Sequence, residues 1–276
     1  MMGRSRRFSV VLGLCLLVLG GIYTCTKDGK VNIFTLEQDK EFGQQLSATI
    51  AGDPGKYPLL ARNASTEPIY RLLEEMRDAI LASGEMTYPK EFAWELHVIH
   101  ADVLNAFCSP GGYIYFYTGL LKYLDSEAQV AGVLGHEMAH ADKRHSTAQL
   151  TKQYGIRTLI GMLTGGSDNQ YLKIAAQLAG GAVELKFSRN DESEADACAV
   201  RFLAKTKYNA LGVAGFFEKL QAEGKGSSQP TFLSTHPCDA DRIRAIHRLY
   251  EELGSPAGED FKTEYQKFKA EYLARY

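Results

Sequence analysis

The sequence predicts an α+β domain that is mainly helical and has a small sheet ahead of its central helix. Several stretches repeat apolar residues at helical spacing, as Ile69, Leu73, Met76 and Ile80 do. Residues 92–100 alternate apolar and polar side chains, and a Gly-Gly pair precedes the run YIYFYT, so two short strands are expected. With 276 residues, 45% of them hydrophobic, the chain is long enough for one domain with a sizeable buried core.

The first 25 residues differ in composition from the rest. Three arginines among the first seven residues precede an apolar run at 8–22, which is the layout of a secretory signal. The run is short for a membrane span, which needs about 20 residues, but an uncleaved anchor is a second open interpretation. We therefore expect a signal peptide or N-terminal anchor at 1–25 and a folded domain at 26–276. The domain is expected outside the cytoplasm, in the periplasm or held at a membrane through its N-terminus.

Lipidation is a third open interpretation of the N-terminus, because Cys25 stands where a bacterial lipoprotein carries its acylated cysteine. The preceding Ile22-Tyr23-Thr24 matches that signal poorly, since a small residue usually comes directly before the cysteine. Cys108, Cys198 and Cys238 are widely spaced, which indicates neither a disulfide framework nor a zinc finger, and no pairing can be assigned.

The predicted elements follow one another as two helices, two strands and then a series of helices. Thr66 is a candidate N-cap for the second helix, and Ser126 with Gln129 forms a capping-box pattern at the start of the central one. The helices are predicted at 35–50, 66–83, 126–145, 171–186, 190–205, 238–253 and 259–275.

The central helix at 126–145 contains the sequence HEMAH. Residues four apart on a helix lie almost one above the other, about 6 Å apart along the axis. The imidazoles of His136 and His140 can therefore bind one zinc ion from the same face. Glu137 points partly toward that side and is placed to act as a general base on a water that the metal activates. Apolar neighbours such as Val133 predict that the helix is buried, and buried polar side chains need the partner that a metal would supply.

A catalytic zinc site uses three protein ligands and keeps one position open. The best candidate for the third ligand is Glu192, in the stretch SRNDESEAD. Asp196 lies four residues further on the same predicted helix, where it can accept a hydrogen bond from a zinc-binding imidazole. The alternative is a solvated acidic helix start, and we expect Glu194 to face water in this way.

The two motifs together resemble the metallopeptidase family of HtpX, BepA, LoiP and the CAAX prenyl proteases, whose pattern is HExxH followed by SRxxExxAD. Here these are HEMAH at 136–140 and SRNDESEAD at 188–196. NAFCSPGGYIY at 105–115 and STHP at 234–237 resemble segments of the soluble, exported branch. The resemblance therefore covers roughly residues 95–245, and its four motifs occur in the family's order.

The resemblance implies a zincin-like metallopeptidase domain with a small sheet beside the HExxH helix. One Zn²⁺ per chain would be bound by His136, His140 and Glu192, with Asp196 supporting an imidazole. The chain departs from the branch at Cys108, where alanine is common. This departure leaves the expected chemistry intact and puts a thiol near the site.

Two further features are expected near the metal. Tyr113–Tyr117 is predicted to be the edge strand above the zinc, so that Tyr113, Ile114 and Tyr115 would pair with an extended substrate. The resemblance implies that His236, the histidine of STHP, lies close to the metal and has an active-site role, either as an oxyanion donor or as a fourth zinc ligand in a resting state. The glycine-containing stretch 161–186 is expected to form a mobile lid over the cleft.

Other charged residues near the motifs are assigned smaller roles. Arg144 and His145, just after HEMAH, are expected to be structural, and Arg189 is expected to pair with a carboxylate near the site. His97, His100 and His247 are assigned to packing or to the surface, and none of them is expected to bind the metal.

The expected function is a zinc-dependent metalloendopeptidase that cleaves polypeptides, with misfolded or outer-membrane proteins of the cell envelope as substrates. An envelope chaperone or binding module with latent or rare proteolysis is the alternative, but a pure binder would have no use for Glu137. A CAAX-type membrane protease is disfavoured, because only the N-terminal run is apolar enough to span a membrane. The net charge of −2 gives no reason to expect a nucleic acid partner.

Overall fold

The structure is a computed structural model that describes residues 24–25, 31–156, 159, 169–181, 185–223, 231–237 and 239–276. Within these residues the strands are β1 (Thr24–Cys25), β2 (Val31–Asn32), β3 (Glu95–Ile99), β4 (Ala106–Ser109) and β5 (Tyr113–Tyr117). The helices are α1 (Leu36–Ala51), α2 (Glu67–Leu81), α3 (Thr118–Tyr123), α4 (Glu127–Asp142), α5 (His145–Tyr154), α6 (Asn169–Ala179), α7 (Arg189–Leu203), α8 (Gly212–Ala222), α9 (Thr231–Thr235), α10 (Ala240–Glu252) and α11 (Lys262–Phe268). The predicted class, α+β and mainly helical with a small sheet, is confirmed.

The helix bounds agree with the predicted ones where caps and apolar spacing are clear. α1, α2, α7 and α10 begin and end within two residues of their predicted limits. α4 ends three residues earlier than predicted, at Asp142, because Arg144 adopts a left-handed backbone conformation with φ 59°. A new helix, α5, then begins at His145.

The three-stranded sheet has the strand order β3-β5-β4, with β3 parallel and β4 antiparallel to β5. The prediction that Tyr113, Ile114 and Tyr115 lie in an edge strand is therefore wrong, because β5 is the central strand. Gly111 and Gly112, at φ 76° and 86°, reverse the chain after Ser109. The residues before this turn consequently fold back and pair with β5, and β4 becomes the edge.

The sheet lies between two hydrophobic clusters. Ile114 and Phe116 belong to the larger cluster, which is formed largely by α2, α4, α7 and α8. Tyr115, between them in sequence, belongs to the smaller cluster, which is formed by α1, α6 and neighbouring residues. Successive side chains of β5 point to opposite faces of the sheet, so this strand contacts both hydrophobic clusters.

Two predictions concern residues that the structure leaves undescribed or describes in part. The proposed leader falls mostly on 1–23, outside the described residues. The proposed lid at 161–186 includes α6, but its parts at 161–168 and 182–184 are also outside them. Across the described part of the chain, no helix combines the length and apolar character that a membrane span requires.

Candidate metal centre

Four buried side chains from three parts of the chain converge on one point: His136, His140, Glu192 and His236. α4 places the two histidines one turn apart on its inner face. The side chain of Ser188 caps α7 by accepting a hydrogen bond from the backbone N–H of Asp191. This cap fixes where the helix begins, and Glu192 therefore lies in its first turn. His236 directly follows the short helix α9, and its N–H donates to the Phe232 carbonyl at 2.9 Å.

The ligand atoms of these four residues have the separations expected around one zinc ion. Nε2 of His136 is 3.0 Å from Nε2 of His140 and 3.3 Å from Nδ1 of His236. Oε1 of Glu192 lies 3.1 Å from Nδ1 of His236 and 3.5 Å from Nε2 of His140. Tetrahedral ligands about 2.0–2.1 Å from zinc lie about 3.3 Å from each other. Three imidazole nitrogens and one carboxylate oxygen at these distances therefore fit a zinc ion.

Both histidines of α4 turn their second ring nitrogen toward a supporting side chain. Nδ1 of His136 lies 2.9 Å from Oδ1 of Asp196, and Nδ1 of His140 lies 2.9 Å from Nδ1 of His145. His145 in turn lies 3.1 Å from a carboxylate oxygen of Glu194, whose side chain is only 25% exposed. The expectation that Glu194 faces water is therefore wrong. Contacts of this kind fix the tautomer and the ring orientation of a metal-binding histidine.

The sequence analysis did not identify Arg242, a buried residue of α10 that joins the two carboxylates. Its guanidinium donates to Asp196 through Nε at 2.7 Å and Nη2 at 2.8 Å, and its Nη1 lies 2.7 Å from Oε2 of Glu192. Nη1 also donates to the carbonyl of Pro237, the residue after His236, at 2.6 Å. One side chain thus holds the acidic ligand, the supporting aspartate and the His236 loop.

The surroundings of the cluster keep two of the expected ligands, Glu192 and His140, in the protonation states that a metal needs. Burial alone would raise the pKa of Asp196, but hydrogen bonds with His136 and Arg242 lower it to about 2. Burial likewise opposes ionisation of Glu192, yet His236, His136 and Arg242 hold its pKa below the usual value. Burial and the neighbouring imidazoles hold the pKa of His140 well below its usual range. The carboxylates are therefore ionised and the His140 imidazole is neutral.

Glu137 lies between the cluster and the edge strand β4. Its Oε2 accepts a hydrogen bond from the Cys108 N–H at 3.1 Å, and its Oε1 lies 3.5 Å from Nε2 of His236. Among the described residues Oε1 has no hydrogen-bond partner. Burial raises the pKa of this carboxyl. Burial also raises the pKa of the Cys108 thiol well above its usual value, so this thiol is neutral.

Two aromatic rings, which the sequence analysis also missed, cover the imidazoles. His140 stacks on Phe187 with ring centroids 4.1 Å apart, and His236 stacks on Phe232 at 4.5 Å. These rings exclude water from the cluster, and a low local dielectric strengthens its electrostatic interactions. Arg189, expected near the site, is 89% exposed and lies 3.9 Å from Asp239.

The remaining histidines lie apart from the cluster, as assigned. His97 stacks on Tyr115, and Nε2 of His100 lies 3.1 Å from the carbonyl oxygen of Tyr276. Nε2 of His247 lies 2.6 Å from a carboxylate oxygen of Glu218 on the molecular surface.

Comparison with known proteins identifies the family to which this geometry belongs. Residues 68–250 match the model of peptidase family M48. Mitochondrial metalloendopeptidase OMA1 of Schizosaccharomyces pombe is 28% identical over 258 residues, which are 90% of this chain and 74% of that protein. Metalloprotease YcaL of Escherichia coli is 32% identical over 52% of this chain and 57% of its own length.

The β-barrel assembly-enhancing protease of E. coli is 28% identical over 53% of this chain but only 32% of its own length. The chain thus spans about a third of that relative and just over half of YcaL. The family match covers most of the chain, and the three motifs that provide the four converging side chains lie inside it. The chain therefore belongs to peptidase family M48 and is a zinc metalloendopeptidase.

Proposed function

We propose that this peptidase cleaves extended stretches of misfolded or envelope proteins, and that Glu137 is its general base. The observation that carries the proposal is the position of Glu137, whose carboxylate is fixed between the ligand cluster and the edge of the sheet. The name of one relative, the β-barrel assembly-enhancing protease, supports an envelope substrate.

The mechanism follows from the two carboxylate oxygens of Glu137. When bound by His136, His140 and Glu192, zinc supplies Lewis acidity to the scissile carbonyl and to the attacking water. Oε2 is held by the Cys108 N–H, so Oε1 takes the proton from the water and passes it to the nitrogen of the leaving amine. The raised pKa of the Glu137 carboxyl supports both transfers.

The substrate backbone is proposed to pair with β4 rather than with β5. β4 is one of the two outer strands of the described three-stranded sheet, and its residue Cys108 contacts Glu137 directly. An extended polypeptide that adds to this edge is bound through its main chain, so affinity depends little on most of its side chains. Such pairing favours unfolded segments, because folded proteins rarely expose a free extended strand.

The substitution Glu137→Gln tests the proposed base. The amide cannot accept the water's proton, whereas the zinc ligands are unchanged. Cleavage of unfolded casein should therefore fall by about 10²–10⁴-fold with normal zinc content. Glu127→Gln, the same change in the first turn of α4, is the control and should keep its activity. Undiminished cleavage by Glu137→Gln would refute the role. If Glu137→Gln loses the ability to suppress aggregation as well as the ability to cleave, that suppression depends on proteolysis, which argues against the chaperone alternative.

We propose that His236 is a zinc ligand of the resting enzyme and must move away before turnover. Its Nδ1 lies where a fourth ligand would be, 3.1 Å from Glu192 and 3.3 Å from His136. His236→Ala should therefore raise casein cleavage severalfold while zinc stays bound by three ligands. A fall in activity with full zinc content would instead indicate that His236 stabilises the oxyanion. An unchanged rate would contradict both roles.

The enzyme is further proposed to be exported and to stay in the periplasm or at a membrane. The support is the basic and apolar N-terminal sequence, with Cys25 as a candidate lipid attachment site. Cell fractionation and N-terminal analysis of the mature chain test this directly. Recovery of the full-length chain in the cytosol would overturn it.

A further inference from the structure

The two histidines of the zinc helix α4 are supported in different ways. Nδ1 of His136 lies 2.9 Å from a carboxylate oxygen of Asp196. Nδ1 of His140 instead lies 2.9 Å from Nδ1 of a second imidazole, that of the buried His145. The motif spacing accounts for the carboxylate beside His136, but it provides no carboxylate for His140.

The break at the end of α4 brings His145 to this position. Arg144 has a left-handed backbone conformation with φ 59°, so α5 begins at His145 and α4 does not continue. On an uninterrupted helix, residues five apart would point about 140° away from each other around the axis. The break instead places the ring centroids of His140 and His145 4.9 Å apart.

The other nitrogen of His145 faces Glu194. Its Nε2 lies 3.1 Å from Oε2 of that carboxylate. Oδ1 of Asp191 is 3.9 Å away, beyond hydrogen-bond distance, and the second oxygen of Asp191 accepts from the N–H of Ser188 in the cap of α7. Glu194 follows the zinc ligand Glu192 by two residues, so it lies about 200° around α7 from it. It therefore reaches the metal centre through His145 rather than directly.

The positions of the protons in this row follow from its two ends. An imidazole that binds zinc through Nε2 has its proton on Nδ1, so His140 donates to Nδ1 of His145. A neutral His145 then has its own proton on Nε2, where the carboxylate of Glu194 accepts it. Both ends require the same tautomer of His145. The opposite tautomer would set two N–H groups against each other at 2.9 Å.

We propose that Glu194 and His145 are positioning residues that hold His140 in the tautomer and orientation that zinc binding requires. Glu194 selects the tautomer of His145, which then accepts from His140. Phe187 stacks on the His140 ring at 4.1 Å and restricts its plane, so the hydrogen bond to His145 determines which edge of the ring faces the metal. The role concerns zinc retention, and it depends neither on the substrate nor on the role proposed for Glu137.

Zinc affinity of the full-length protein, measured by chelator competition, tests the first step. Glu194→Ala removes the acceptor and should weaken zinc binding by about 10–100-fold. Glu194→Gln keeps an acceptor oxygen and should retain more of the affinity. His145→Leu should lose at least as much as Glu194→Ala. His145→Asn should recover affinity relative to His145→Leu, because an amide oxygen can accept from His140 in place of Nδ1.

A double variant distinguishes this row of hydrogen bonds from a general loosening of the site. The amide of His145→Asn has no tautomer for Glu194 to select, so adding Glu194→Ala to it should cost little further zinc affinity. Independent effects would instead add. Absorption bands of the cobalt-substituted protein give a second readout, since they report the geometry of the metal ligands. They should change in Glu194→Ala and be closer to those of the wild type in His145→Asn.

Glu218→Ala is the matched control, because Glu218 also contacts a histidine, with Nε2 of His247 2.6 Å from its Oε1, but on the molecular surface. This variant should keep the wild-type zinc affinity and cobalt spectrum. Wild-type zinc affinity in Glu194→Ala, or a fully additive loss in the double variant, would overturn the inference. So would a Glu194→Ala protein whose zinc-free form is less stable to urea while its zinc affinity is unchanged, since the contact would then be structural only.

Discussion

At the scale of single residues, Arg242 connects the parts of the metal centre. A guanidinium presents several donors in one plane, so it can bind two carboxylates and a carbonyl at once. It does so here with Asp196, Glu192 and Pro237 while it lies 4.8 Å from the ring centroid of Phe217. Without this cation the two carboxylates would be buried with less charge compensation.

Arg242→Met should weaken zinc binding and destabilise the protein. Loss of a residue that orients metal ligands typically costs about 10–100-fold in metal affinity. Removal of one partner from a buried ion pair costs about 3–5 kcal/mol. Zinc affinity can be measured by chelator competition, and the free energy of unfolding by urea titration. Arg244→Met is the control, because Arg244 is 64% exposed on the same helix. Equal effects of the two substitutions would show that Arg242 does not position the ligands.

The helical residues of the metal centre could be predicted from spacing and His236 only from the STHP resemblance, whereas Arg242 could not be predicted. His136, His140, Glu192 and Asp196 occur in pairs four residues apart, which fixes their common face on a helix. α10 contains several arginines, and only the packing of this helix on α7 determines which of them is buried. The contact between His145 and Glu194 likewise depends on the break after α4, which no local sequence pattern indicated.

At the scale of secondary structure, close helix packing positions the zinc helix. A Cβ atom at Gly132 of α4 would lie 2.5 Å from the carbonyl carbon and oxygen of Gly212, at the start of α8. A Cβ atom at Gly135, one turn later, would instead meet the flexible end of Leu203 at 3.1 Å. Glycine at position 132 therefore lets the two backbones approach, whereas Gly135 faces side chains that can move.

Gly132→Ala should destabilise the protein although alanine is the better helix former. The gain in helix propensity is about 1 kcal/mol. Overpacking of a rigid interface typically costs about 1–3 kcal/mol, and here backbone atoms would have to move. Gly135→Ala, in the same helix, should have the smaller effect. Urea unfolding of both zinc-loaded variants measures the difference. A Gly135→Ala variant less stable than Gly132→Ala would contradict this account of the packing.

The sequence analysis missed helices and a strand whose residues are suited to tertiary contacts and have only weak local preference for helix or strand. α8 begins with Gly212 and contains Gly215, which lower its helical signal but allow close packing on α4. β4 is four residues long and is defined mainly by its pairing with β5. Its omission led directly to the wrong assignment of the edge strand.

At the scale of the whole molecule, the segment before α1 belongs to the folded domain. Phe34 is 1% exposed in the smaller hydrophobic cluster, and its carbonyl accepts a hydrogen bond from Arg144. Asn32 donates to Thr147 at 2.9 Å, and Arg144 pairs with Asp39. The segment therefore crosses the break between α4 and α5, directly after the zinc helix. The family match at 68–250 leaves this segment out.

Phe34→Ala should destabilise the enzyme by about 3–5 kcal/mol, because a fully buried aromatic ring is lost. Val31→Ala is the control; Val31 is 39% exposed, and its loss should change stability by no more than about 0.5 kcal/mol. Hydrogen exchange should also become faster at the junction of α4 and α5 in Phe34→Ala, since Arg144 loses a well-placed carbonyl acceptor. Urea unfolding and exchange mass spectrometry measure these effects. Unchanged exchange at the junction would mean that the N-terminal segment covers the zinc helix without fixing its end.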